Sequence, residues 1–274
     1  MSVATTSPAG PAALPRVGTV QHLGRLVAAE WTKLRTVRST VWTLVATVLV
    51  CVGLPLLFSL AVINTPRNQI GPDFDGGQFS LLGVFLGQLV IGSLGVLVLS
   101  AEYSTGTIRA SLTAAPQRIR LLVAKAATFA VVVAVVGLVT AFAAFWSVQA
   151  LLDTKNLGVS LGTSPHLRMV VGAALYLVAV GLLGLGVAAI VRSTAVGISV
   201  VVGVLFVLPV LAGFLPQWWQ EHVVKYLPGQ AGIGVFMNQH GASQLEPWPG
   251  LALFAGYSLL ALVIGGVLLA RRDA

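Results

Sequence analysis

Six uninterrupted apolar stretches limit what this chain can become: Val41 to Ile63, Leu81 to Ser100, Ala126 to Val148, Met169 to Val191, Ala195 to Leu215 and Leu251 to Ala270. A helix crossing ~30 Å of hydrocarbon needs about 20 such residues, because every backbone N–H and C=O must be satisfied within the helix. None of the six contains Asp, Glu, Lys, Arg or His. Across the chain only 9% of residues are charged and 57% are hydrophobic, whereas soluble domains carry roughly 25% charge to keep their surfaces solvated. The expected fold class is all-α: a polytopic membrane protein with six transmembrane helices over residues 41–270.

Six crossings put both termini on one side, and the basic residues say which. Twelve of the sixteen Lys and Arg residues fall before span one, between spans two and three, between spans four and five, or after span six. Positive charge is retained on the cytoplasmic side, so both termini and the loop between spans two and three are expected to be cytoplasmic in a multi-pass cell-membrane protein. Residues 1–18, rich in Pro, Ala, Thr and Ser with no apolar h-region, read as a disordered cytoplasmic tail and not a signal peptide; residues 271–274 form a second short tail. The net charge of +8 sits at membrane borders, which points to lipid headgroups and away from nucleic acid.

The uncharged spans exclude several activities. An ion-coupled carrier keeps an ionisable group at depth despite a cost of ~2.5 to 3.5 kcal/mol, and an intramembrane protease or metal enzyme needs acids, His ligands or a nucleophile there. Gln88 is the sole carboxamide within the six stretches. An interhelical hydrogen bond is its expected use, with a place in a substrate pathway the speculative alternative. His22, His166, His222 and His240 fall in loops or the tail at no ligand spacing and read as surface residues, so no metal is expected; Cys51 reads as a buried small hydrophobe. Gly83 with Gly87, Ala252 with Gly256, and the run Gly181 to Gly186 supply small faces for helix packing. Pro55 and Pro209 each remove a donor mid-span and predict local bending or unwinding.

Two polar segments remain. Over residues 19–40, Val20, Leu23, Val27, Trp31, Leu34 and Val41 recur at helical spacing, predicting an amphipathic interfacial helix whose basic residues meet anionic lipid headgroups. Glu30 breaks the apolar edge and points to a specific contact, with Lys33 as one candidate. Between spans two and three, "AEYSTGTIRASLTAAPQRIRLLVAK" predicts a Gly-mediated turn at Ser104 to Thr107, a short helix ending at Pro116, and a basic start to the next helix. For Arg118, Arg120 and Lys125 the positive-inside rule is explanation enough; it does not account for Glu102, Tyr103, Gly106 and Thr107 together. In the last outer loop, Trp218, Trp219 and Tyr226 suit an interfacial aromatic belt, and a short re-entrant or surface helix is expected.

The run Glu102-Tyr103, Gly106-Thr107-Ile108-Arg109, Leu112, Pro116, Arg118 and Lys125 resembles the motif between the second and third spans of the ABC-transporter type-2 permease family. The resemblance extends to "EWTKLRTVRST" (Glu30 to Thr40) and "YLPGQAG" (Tyr226 to Gly232). It implies the membrane subunit of a bacterial ABC exporter, in which Glu102 to Arg120 form the coupling hairpin that docks on the ATPase. Glu30, Trp31, Lys33 and Arg35 then belong to the connecting helix. No "GK" dipeptide occurs, so the phosphate loop is missing and this chain is expected to bind no cofactor and to be no enzyme. ATP and Mg would be used by a separate ABC ATPase subunit, and six spans imply a homodimer or a paired sister permease. The uncharged interior suits a hydrophobic or amphipathic substrate such as a drug, antibiotic or lipid. The alternative is a non-transporting membrane scaffold or sensor that binds an ATPase or regulator through the same hairpin.

Overall fold

The computed structural model describes residues 19–71, 74–106, 118–238 and 244–271. The proposed tail 1–18, the hairpin residues Thr107, Ile108, Arg109, Leu112 and Pro116, and residues 272–274 lie outside the described residues. Among those described, the chain is helix and connecting loop. A helix α1 (Thr19–Thr36) precedes six helices long and apolar enough to cross a membrane: Arg38–Asn64, Gly76–Ser104, Ile119–Lys155, His166–Val191, Thr194–Ala212 and Pro247–Arg271. They are spans one to six below.

These helices outrun the apolar stretches at their ends. Span two therefore includes Glu102, span three Lys125 and Gln149, and span four His166, so the expectation of wholly uncharged crossings holds only for their middles. The difference has a physical reason: a helix continues through polar residues wherever protein, not lipid, satisfies them.

Span four is the central helix, packed against spans two, three and six. Its glycines allow the approach. A Cβ on Gly184 would lie 2.3 Å from the carbonyl oxygen of Gly92, and one on Gly95 would lie 2.1 Å from that of Gly181. At such separations only hydrogen fits, and backbone-to-backbone dispersion contacts replace side-chain packing. Gly83 and Gly87 receive span one in the same way, a Cβ on either falling within 2.5 Å of Cys51, which is buried. The seam expected at Ala252 and Gly256 is not used among the described residues, none of which lies within 4 Å of a Cβ on Gly256. Span six instead meets span four through Gly265 against Ala189 and through Gly186 against Ala261.

The two prolines behave differently. Span five widens into a π turn at Gly203–Val207 immediately before Pro209, the adjustment a helix makes when a donor is missing. Span one runs as one helix through a buried Pro55.

Gly95→Ala is expected to lower stability in detergent by roughly 1 to 3 kcal/mol through overpacking of the seam, with Gly256→Ala near neutral. Melting temperatures of the two purified variants check this.

Candidate functional site

At the α1 end of the bundle four charged side chains close into a network. Lys125, 2% exposed, extends its ammonium between Glu30 Oε2 at 2.6 Å and Glu102 Oε1 at 2.8 Å. Lys33 donates to the same Glu102 oxygen at 2.5 Å and lies 3.6 Å from Glu30. Glu30 and Glu102 are also buried, at 4% and 6%. Two acids and two bases leave the group neutral, the condition on which charge can be held out of water.

The four members come from three pieces of chain, and local structure delivers them. Glu30 and Lys33 stand three apart on α1, which packs mainly against span three. Lys125 lies on span three, behind Leu121 and Leu122, both buried. Glu102 sits in the last turn of span two, which stops at a left-handed Gly106 (φ 70°). A side chain there is strained, so glycine sets this stop. The hydroxyls of Ser104 and Thr105 donate to the Ala101 carbonyl at 3.0 and 2.8 Å, satisfying a carbonyl of the helix's last turn.

The two lysines differ in weight. Lys33 is 42% exposed along its side chain, so its pairs are partly screened. Burial alone would lower its pKa, but the hydrogen bond and charge of Glu102, then Glu30, outweigh burial and hold it above the ordinary 10.5. A raised lysine pKa contributes stability that is complete below 10.5 and is lost only as pH rises through the higher folded value. The pair is thus intact at neutral pH. Lys125 is the buried member on which both carboxylates depend.

The end of span two is gripped elsewhere as well. The Arg192 guanidinium lies 5.3 Å from the Tyr103 ring centroid, and Thr194 donates to the Ser100 hydroxyl at 2.9 Å. The segment entering residues 107–117 is therefore fixed to α1, span three and the junction of spans four and five. Arg118 opens the next helix. Trp31 and Arg35 are exposed on another face of α1, outside the network. Among the described residues no His, Cys, Asp or Glu side chains gather into a metal-holding group.

Gln88 is buried deep in the bundle, accepting from the Tyr176 hydroxyl at 2.6 Å. It ties span two to span four in the way expected of polar residues in lipid. At the opposite end, His166 is buried and not a surface residue: Nδ1 meets the Ser160 carbonyl at 3.0 Å and Nε2 lies 3.4 Å from Asp75 Oδ1. Asp75 also accepts from Asn238 Nδ2 at 3.2 Å, and Gln78 Oε1 accepts from the Asn238 backbone N–H at 3.0 Å. The chain after "YLPGQAG" thus returns into the bundle, with Phe236 buried against Tyr176 at 5.0 Å between ring centroids.

Sequence reasoning singled out Glu30 and Glu102 and placed Lys125 in the same motif as Glu102, but it read that lysine's charge as a topology signal and paired it with neither acid. A signal was present. Of eight acids only Glu30, Glu102 and Asp273 fall on the strongly basic side, and acids placed there ask for partners.

The comparisons agree with this architecture. The chain belongs to the ABC-2 transporter family: the family profile described as "ABC-2 family transporter protein" matches residues 26–222, from α1 into the loop after span five. No curated protein gives a significant match. The chain is accordingly a multi-pass membrane permease subunit of an ABC transporter, a family that works with an ABC ATPase subunit.

Lys125→Ala is expected to destabilise the protein by about 3 to 5 kcal/mol, since it leaves two buried carboxylates to share the half-exposed Lys33. Lys33→Ala is expected to cost about 1 kcal/mol or less. Thermal unfolding of both variants in one detergent measures the contrast.

Proposed function

We propose that this chain is the permease half of an ATP-driven exporter in the cell membrane, with α1, both termini and the 102–125 segment facing the cytoplasm. It pairs with a second permease, another copy or a sister chain, and moves a hydrophobic or amphipathic substrate. The observation that carries the mechanism is the network of Glu30, Lys33, Glu102 and Lys125.

The physical argument runs from the network outward. An ATPase that closes over ATP and pulls on the segment after Gly106 draws on the end of span two. Glu102 passes that displacement to Lys125 on span three and, through Lys125 and Lys33, to α1. Separating span two or span three leaves a buried charge short of a partner, and separating α1 breaks the short pairs of Lys125 with Glu30 and of Lys33 with Glu102, so the three move together. The glycine seam between spans two and four then carries the motion into the bundle as a rigid-body shift of packed helices. Nucleotide binding drives it only through differential affinity for the two arrangements. A hydrophobic or amphipathic cargo is supported by the bundle's middle, where Gln88 and Tyr176 already satisfy each other.

The experiment is reconstitution of the permease with its ATPase in vesicles. Alanine substitution of Thr107, Ile108 and Arg109 together, or Glu102→Gln, is expected to leave the permease inserted while lowering substrate-stimulated ATP hydrolysis and export by about tenfold or more, equivalent to about 1.4 kcal/mol of lost coupling. Unaltered export in both variants contradicts the coupling role. Hydrolysis that no substrate stimulates, in the unsubstituted protein, contradicts transport and favours a scaffold.

A further inference from the structure

On the far side of α1 from the charged network lies a groove of about 340 Å³ whose wall is wholly apolar. Leu34 of α1, Val41 and Val45 of span one and Val132 of span three line it, with Trp31 and Arg35 from the exposed face of α1. Arg35 is exposed and adds no polar surface to the wall, so it lines the groove through its aliphatic stem. Arg38 is exposed three residues before Val41 and seven before Val45, on the same face of span one. Among the described residues, neither Arg35 nor Arg38 has a carboxylate at ion-pair distance.

We propose that this groove is a binding site for one anionic diacyl phospholipid, with an acyl chain against Leu34, Val45 and Val132 and the phosphate on Arg35 and Arg38. Charge complementarity selects this occupant. Val41 and Val45 are about 40% exposed and Trp31 and Trp42 stand open at the same level, so the groove opens sideways to lipid and not into the bundle. An apolar slot facing hydrocarbon attracts any chain weakly, because lipid tails are as apolar as valine. Two guanidiniums at its mouth add the preference for phosphate, through charge-assisted and bidentate hydrogen bonds. A phosphate bearing no chain gains only the second part.

The site has a consequence for α1. Leu34 lines this groove and also the cavity of about 290 Å³ that Glu30, Lys33, Glu102 and Lys125 border on its other side. A bound lipid therefore braces the helix that carries two members of the network. This goes beyond the transport reading and does not need it: retention of lipid by the chain alone is independent of any ATPase.

The test is native mass spectrometry of the purified full-length chain in detergent, equilibrated with equal amounts of phosphatidylglycerol and phosphatidylcholine of matched acyl chains. The unsubstituted protein is expected to retain one phosphatidylglycerol with about tenfold preference, or about 1.4 kcal/mol. Arg35→Glu should abolish the preference, and Val45→Trp, which fills the slot from its exposed side, should abolish retention of either lipid. Unaltered melting temperatures confirm that both variants are folded. The proposal is overturned if the unsubstituted protein shows no preference, or if Val45→Trp retains phosphatidylglycerol as before, the mark of surface attraction without a groove. It is equally overturned if inorganic phosphate displaces the lipid, the mark of a phosphate site that needs no chain.

Discussion

A lysine ammonium buried between two carboxylates is the constraint on which this molecule's α1 end depends. In a low-dielectric setting an uncompensated charge is costly enough that Lys125, Glu30 and Glu102 must stay together or the structure must open to water. Three pieces of chain otherwise joined by loops are thereby made one body: α1, the last turn of span two and the first turns of span three. Burial of this kind is weak as a source of net stability. Its value lies in specifying one arrangement, because a slipped α1 would separate Glu30 from Lys125 and Lys33 from Glu102.

The rest of the bundle is organised in keeping with that body. Spans two and four meet along glycines and share the Gln88 to Tyr176 hydrogen bond, so span two cannot shift at its α1 end without span four. At the opposite end a second polar group, centred on Asp75, His166 and Asn238, holds the returning chain after span five against the start of span two. Span two thus carries an ionic joint at one end, a polar joint at the other and a glycine seam between. It is the element through which a displacement at one face of the protein reaches the other.

Much of this was legible in the sequence because lipid imposes local rules. A span must be apolar along its whole middle, so six of them stand out residue by residue, and their boundaries blur only where protein takes over from lipid in satisfying polar groups. Gly106 was recognisable as a turn because its left-handed backbone needs no tertiary knowledge to anticipate. Partners were not legible. Lys125 follows a basic run, and nothing near it in sequence distinguishes a charge that meets headgroups from one that meets Glu30, 95 positions away. His166 was misread for the same reason: its neighbours Asp75 and Ser160 are assembled only by the fold. The small residues announced close packing in general, while the choice of Gly265 over Gly256 as the contact of span six depends on which face the completed bundle presents.

The most direct measurement of the central claim is a double-mutant cycle between Glu30 and Lys125, using Glu30→Gln and Lys125→Met and the unfolding free energy of each protein in the same detergent. If the ion pair joins α1 to span three, the double variant is less destabilised than the sum of the single ones, with a coupling of about 1 to 3 kcal/mol. Additivity within about 0.5 kcal/mol would mean that the two residues do not act on each other, and the account of α1, span two and span three as a single body would be wrong.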